Sequence, residues 1–316
     1  MRLLKVTSLL PIRLDKYLMQ EFPRLGIGLL NKSLRENKIK LNGKKQPLST
    51  RVQNGDEIKL FIPDLQLGLV PANSPAFLQA NYPAKIIYED DFLLLADKPA
   101  GLPVSDEAQA DTLINRVLLY LYNEKKYIPE QDWTPQLCHR LDTGTSGLVI
   151  IAKDPEALTL ISKLIKNRSI KKEYLCVTFG RPLPPSDTLN GFLAKDSHKG
   201  HVQIFNTEVP GSKPVITRYE TVATSGRLAL LKVQLITGRT HQIRAHLASI
   251  GCPILGDSKY GNNTANREFR FKYQALCAWK LSFPKLSDQK LSGISEKAFQ
   301  LEQPWYCHQV IEKSIK

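Results

Sequence analysis

The sequence is short of the features that place a chain outside the cell or in a membrane. Its five cysteines, Cys138, Cys176, Cys252, Cys277 and Cys307, are odd in number, widely spaced and form no CxxC pair. Neither a disulfide framework nor a zinc site is expected from them, and a reducing cytoplasm fits. No window holds the roughly 18 apolar residues of a membrane span. The apolar start from Leu3 to Leu10 is interrupted by Lys5 and closed by Pro11-Ile12-Arg13, unlike a signal peptide. His198 and His201 lie close together but have no further ligand at diagnostic spacing, so no metal is expected. Acidic residues are scarce: 30 Asp and Glu face 44 Lys and Arg, a formal charge of +14. Such a surface favours polyanions.

At 316 residues the chain is long enough for two domains and a sizeable core. Residues 1–62 carry 13 Lys and Arg against 5 Asp and Glu, a net +8, so over half of the excess charge sits in a fifth of the chain. Ile12, Leu14, Tyr17, Leu18 and Phe22 fall near helical spacing, and Pro23 ends that segment. A second helix is expected over Leu29–Glu36, with Lys32 and Arg35 on one exposed face. Ile39 and Leu41 alternate with Lys38 and Lys40, Asn42-Gly43 is a tight-turn signal followed by Lys44 and Lys45, and another strand is expected at Glu57–Ile62. Residues 65–84, with three prolines and no periodicity, read as a linker.

The catalytic candidates lie in 85–316. Ile86–Tyr88 and Phe92–Ala96 read as strands, and Asp97–Val104 as a rigid, polar-edged loop. Thr112–Tyr122 reads as a helix with Asp111 as its N-cap, and Asp154-Pro155 opens another. The organising stretch is Pro135–Asp154, PQLCHRLDTGTSGLVIIAKD. If CHRLD is extended, His139 and Leu141 point one way and Arg140 and Asp142 the other, which sets a cation beside a carboxylate. Thr143–Gly147 are small and turn-prone, and Leu148–Ala152 is the continuous apolar run of a strand buried on both faces. Residue types alone favour a blander reading, in which Arg140 and Asp142 form a surface ion pair worth about 0–1 kcal/mol and the glycines merely make a turn.

HRLDTGTSGLVIIAK resembles the active-site motif of the RluA-type family of pseudouridine synthases. NKPAGLPV of that family is similar to Asp97–Val104, KKEYLCV at Lys171–Val177 to its second active-site strand, and ITGRTHQIRAHL at Ile236–Leu247 to its third signature. Residues 1–62, with RLDKYL, LNKSLRENKIKLNGK and VQNGDEIKL, resemble the small RNA-binding module of ribosomal protein S-four. The resemblance implies an α+β chain: a small basic RNA-binding domain at 1–64, a linker at 65–84, and a catalytic domain at 85–316 built on a curved, mostly antiparallel mixed sheet with flanking helices. It implies Asp142 as the catalytic carboxylate, Tyr174 lining the uracil pocket, Arg239 pairing with Asp142, and Arg140 either filling the gap left by a flipped base or holding the neighbouring phosphate. Lys32, Arg35, Lys38, Lys44, Lys45 and Arg244 are assigned to RNA contact. The ILGDSKYG run is expected to pack behind the site. No cofactor is implied, and the partner is RNA, ribosomal first and transfer RNA second, for a monomer with no membrane contact. A non-catalytic RNA-binding protein on the same scaffold is one rival. A carboxylate hydrolase is another, which would want a second acid near Asp142.

Overall fold

The computed structural model describes every residue except 1, 9, 24, 63, 65, 70–73, 197–199 and 315–316, and only the backbone of 196. The chain divides into two compact units, Met1–Ala84 with Ser105–Tyr127, and Lys85–Val104 with Ile128–Lys316. The expected catalytic stretch 85–316 is therefore interrupted: residues 105–127 group with the small unit.

In the small unit, β1 (Arg2–Lys5) and β2 (Ile39–Leu41) flank β3 (Glu57–Leu60), both antiparallel to it. Helices α1 (Leu14–Glu21) and α2 (Ile27–Arg35) bury Leu14, Leu18 and Leu30 against Ile39, Ile58 and Leu60. Each such side chain contributes about 1.5–3 kcal/mol when fully buried. Asn42 and Gly43, at φ 49° and 78°, make the tight turn expected of them, and Leu41 and Lys44 exchange backbone hydrogen bonds across it. Lys44 and Lys45 are left exposed. The described part of the 65–84 segment includes a packed turn. A 3-10 turn at Ala76–Gln79 buries Phe77, whose ring lies 5.6 Å from that of Tyr122 and 5.9 Å from that of Tyr127. Tyr122 belongs to α3 (Leu113–Asn123), which is capped by Thr112 accepting from the Asn115 amide at 3.3 Å. Asp111, the expected cap, is instead gripped by both nitrogens of the Arg116 fork, at 2.7 and 2.8 Å.

The large unit is a mixed sheet. Its main strands are β4 (Lys85–Glu89), β5 (Leu93–Lys98), β6 (Ser146–Ala152), β7 (Lys171–Phe179), β8 (Ser186–Asp196), β9 (His201–Phe205), β10 (Lys213–Ser225), β11 (Leu228–Leu235) and β12 (Leu276–Ser282). They lie in the order β9-β8-β10-β11-β7-β12-β6-β5-β4, with Gln136–Leu137 added beside β6 and Ala298–Gln300 beside β12. Every pairing is antiparallel except β12 with β6. β6 is an interior strand and Gly147–Ala152 are all buried, as its apolar run requires. One face packs Leu93, Leu95, Leu148 and Ile150 on Ile161 of helix α4 (Pro155–Lys166), whose N-cap Asp154 accepts the Glu156 and Ala157 amides. Among the described residues no helix is long and apolar enough to cross a membrane.

Candidate active site

Asp142 stands between Gln136–Leu137 and β6, in an irregular segment rather than the strand expected of CHRLD. The alternation survives in effect, with Leu141 buried, Arg140 exposed and Asp142 half-buried. What replaces strand pairing is His139. Cys138 donates its amide to the Ile150 carbonyl at 2.9 Å, and the Ile150 amide donates to His139 Nε2 at 3.1 Å, so an imidazole stands in for a backbone acceptor. Burial, reinforced by the Lys172 charge, pushes His139 down to about 3, which keeps that nitrogen bare.

Beyond Asp142 the loop is held from two sides. Lys98, at the end of β5 and fully buried, donates to the carbonyls of Leu102 at 2.6 Å, Thr143 at 3.0 Å and Pro99 at 3.1 Å. Thr143 also accepts the Gly101 amide at 2.8 Å. Burial lowers Lys98 to about 8, against the pull of Asp142. On the other side Gly147, at φ 118°, runs against the Ala278 backbone so closely that no side chain could be built there.

The cation that meets Asp142 comes from helix α5 (Gln242–Ser249). Arg244 Nη1 donates to Asp142 Oδ2 at 2.7 Å, while its Nε and Nη2 fork onto the two oxygens of Asp257 at 2.7 and 2.8 Å. Asp257 also accepts the Lys259 and Tyr260 amides at 2.8 and 3.1 Å. Burial raises the Asp257 carboxyl, but Arg244 and these amides outweigh it and hold the group below the usual carboxylate range. Burial works against the Arg244 charge too, and the two carboxylates more than compensate, so it stays protonated. The start of α5 is fixed by Gln242, which donates to Ile216 O and Thr217 Oγ1 at 3.0 Å each. Its own oxygen accepts from Thr237 Oγ1 at 2.8 Å and from the Arg239 amide at 3.1 Å.

Two sequence expectations therefore exchange places. Arg239 is exposed at the turn before α5 and its guanidinium makes no ion pair among the described residues, so it is not the partner of Asp142. Arg244, assigned to RNA, is 5% exposed and has its nitrogens on two carboxylates, so it cannot grip a phosphate. The reason is the helix itself. Gln242–Leu247 are all buried, Arg244 among them, while Ile250 just beyond is exposed. Asp257 and Tyr260, from the ILGDSKYG run expected only to pack behind the site, bear on it directly. An aspartate in that run, with an arginine amid apolar helix positions, was the available signal.

These groups open on one cavity of about 590 Å³. Its wall includes Asp142, Arg140, Tyr174, Arg239, His241 and Arg244, and beyond them Lys166, Arg168 and Lys172. Asp142 is the only carboxylate among those lining residues. Tyr174, on β7 between β11 and β12, is buried, and burial together with the Asp142 charge raises its hydroxyl well above normal. Lys172 is lowered to about 8 by burial. A carboxylate in a shielded pocket, among cations and beside an aromatic ring, suits nucleophilic attack on a flat, electron-poor ring or its sugar. No cluster of three or more metal-ligating side chains occurs among the described residues, and His198 lies outside them. In the small unit Lys32, Arg35, Lys44 and Lys45 are exposed, while Lys38 is paired with Glu36 at 2.7 Å.

Comparison with known proteins places this geometry. Residues 92–249 match the family model described as RNA pseudouridylate synthase. The chain is 31% identical over 96% of its length to an uncharacterized RNA pseudouridine synthase of Mycoplasma pneumoniae, covering 96% of that protein. It is 35% identical over 83% of its length to the Ribosomal large subunit pseudouridine synthase C of Rickettsia bellii, covering 86% of that protein. Among solved structures it shares its fold with Human RNA Pseudouridylate Synthase Domain Containing 4, at TM-score 0.58 and 23% identity over 72% of this chain and 92% of that one. Human RNA Pseudouridylate Synthase Domain Containing 1 gives 0.55 and 20% over 77% and 98%. The chain belongs to the RNA pseudouridylate synthase family and is an isomerase that acts on RNA.

Proposed function

We propose that the chain converts uridines of large-subunit ribosomal RNA to pseudouridine, with Asp142 as the reacting carboxylate. The observation that carries the assignment is the Asp142–Arg244–Asp257 array: Arg244 holds Oδ2 of Asp142 at 2.7 Å, and no partner binds Oδ1 among the described residues. Oδ1 is the oxygen with lone pairs to spend on the substrate. Tyr174 supplies the face against which the base lies, and a flipped nucleotide enters past Arg140 and Arg239 at a cost of a few kcal/mol. Exposed Lys32, Arg35, Lys44 and Lys45 of the small unit, which resembles the module of ribosomal protein S-four, offset that cost by releasing counterions from the RNA backbone. Lys38, held by Glu36, contributes less.

Support for ribosomal RNA comes from relatives in Rickettsia bellii, Rickettsia prowazekii and Rickettsia typhi named Ribosomal large subunit pseudouridine synthase C, at 35%, 35% and 34% identity. The test is a pseudouridine map of total RNA from cells with and without the gene. Loss of specific large-subunit sites is the expected result. Loss confined to transfer RNA would overturn the substrate and leave the chemistry standing.

A further inference from the structure

Turning uridine into pseudouridine breaks the N1–C1′ bond and forms a C5–C1′ bond; C5 gives up a proton and N1 gains one. This balance holds whichever atom Asp142 attacks, and no proton or electron is exchanged overall. Some group in the pocket must take a proton at one position of the base and return it at another. Most of the titratable groups on the cavity wall are unsuited. Arg244 is committed to two carboxylates, and His139 spends its bare nitrogen on the Ile150 amide. The Tyr174 hydroxyl is held protonated by burial and by Asp142, and Lys172 is already an ammonium below about 8.

His241 is built differently. It caps α5 in the left-handed region at φ 55°, a conformation that non-glycine residues keep only when their surroundings impose it. Its ring is held by Tyr260, whose hydroxyl lies 3.0 Å from His241 Nδ1 and accepts the Val202 amide at 2.8 Å. By turning its hydrogen, that hydroxyl can donate to a bare Nδ1 or accept from a protonated one. The ring is thus held in place in either tautomer, and Nε2 can be bare or protonated. Nε2 faces the reacting carboxylate, 3.9 Å from Asp142 Oδ2, in the same cavity. Burial favours the neutral ring; Asp142 and Asp257 favour the charged one, and Arg244 and Lys259 oppose it. Burial is the largest of these influences, and the ring is left favouring its neutral form.

We propose that His241 is the proton carrier of the isomerisation: Nε2 takes the proton from C5 once the C5–C1′ bond has formed, and the imidazolium returns it to N1. The inference rests on Asp142 opening the reaction in this pocket. It is tested with His241→Asn, since asparagine tolerates φ above zero, in single-turnover assays at saturating RNA carrying hydrogen or deuterium at C5 of the target uridine. The rate should fall on the order of 10²-fold with RNA affinity little changed, and deuterium should slow the variant but not the wild type. His241→Gly, which also accepts that backbone, should regain rate when imidazole is added. A rate near wild type, or a loss with no isotope effect and no response to imidazole, would overturn the proposal. Failure of the Asp142 reading is separable, because it would appear as turnover in Asp142→Asn with either RNA.

Discussion

The two units use cations in opposite ways. In the small unit Lys32 and Arg35 on α2 and Lys44 and Lys45 beside the Asn42-Gly43 turn stand in solvent, each able to exchange one anion for another. In the large unit Arg244 is buried and its fork is divided between Asp142 and Asp257. The first kind of charge gives affinity that salt weakens, and the second fixes one carboxylate in position. Residue type does not separate the two kinds. Burial and partners do.

The hardest break of this contrast is Asp142→Asn, which keeps shape and removes the proposed nucleophile. Pseudouridine formation should be abolished, with RNA affinity within a few-fold of wild type; substantial turnover would refute the catalytic assignment. Next is Arg244→Ala, which strands two carboxylates. A loss of about 3–5 kcal/mol is expected for removing one partner of a buried pair, read as a large fall in melting temperature and single-turnover rate. Arg244→Lys should recover only part, because an ammonium cannot span both carboxylates as the planar fork does. Arg239→Ala should leave stability and saturated rate near wild type and weaken RNA binding; the reverse pattern in these two variants would restore Arg239 as the partner of Asp142. Changing Lys32, Arg35, Lys44 and Lys45 together to Gln should weaken binding and leave the rate at saturation unchanged. The slope of log affinity against log salt should fall by roughly 0.7–0.9 for each phosphate the variant no longer neutralises. An unchanged slope would mean that these charges are only solvated.

The last effect concerns His139 and is one of pH. Its pKa falls from 6.5 to about 3 on folding, so between those values the unfolded chain binds a proton that the native chain refuses. Stability contributed by the neutral ring is present above 6.5 and is lost as pH falls toward 3. Chemical denaturation across that window should show a slope smaller by up to about 1.4 kcal/mol per pH unit in His139→Gln. An identical slope would place the titration elsewhere.

Patterns confined to neighbouring residues were the legible ones. The β6 run, the Asp154-Pro155 helix start and the Asn42-Gly43 turn depend on local sterics and capping, and each has the form its residues dictate. Asp142 and Tyr174 were found through motif wording, and they do share a cavity. What could not be read was long-range. Lys98 looked like the polar edge of a loop, because nothing local says that three carbonyls will converge on its ammonium. Arg239 and Arg244 are five residues apart in one signature, and only the packing of α5 decides which is buried. Thr112 and Asp111 are both good caps, and Arg116 claimed the aspartate. Beyond Leu286 periodicity fades, yet a 3-10 turn at Gln289–Ile294 and a helix at Trp305–Ile311 form there by packing on neighbours.

The lone parallel pairing of the sheet has a consequence for synthesis. β6 follows directly on the catalytic loop, and it meets β12 where the Ser146 hydroxyl reaches the Leu276 carbonyl, 130 residues further along the chain. Arg244 comes 102 residues after the aspartate it serves. Closing loops of that length costs entropy before any pairing rewards it, so this part of the fold is slow to form. A nascent chain still lacking β12 holds Asp142 without the Leu276 wall of its cavity. The large unit can become an enzyme only when nearly all of it has left the ribosome.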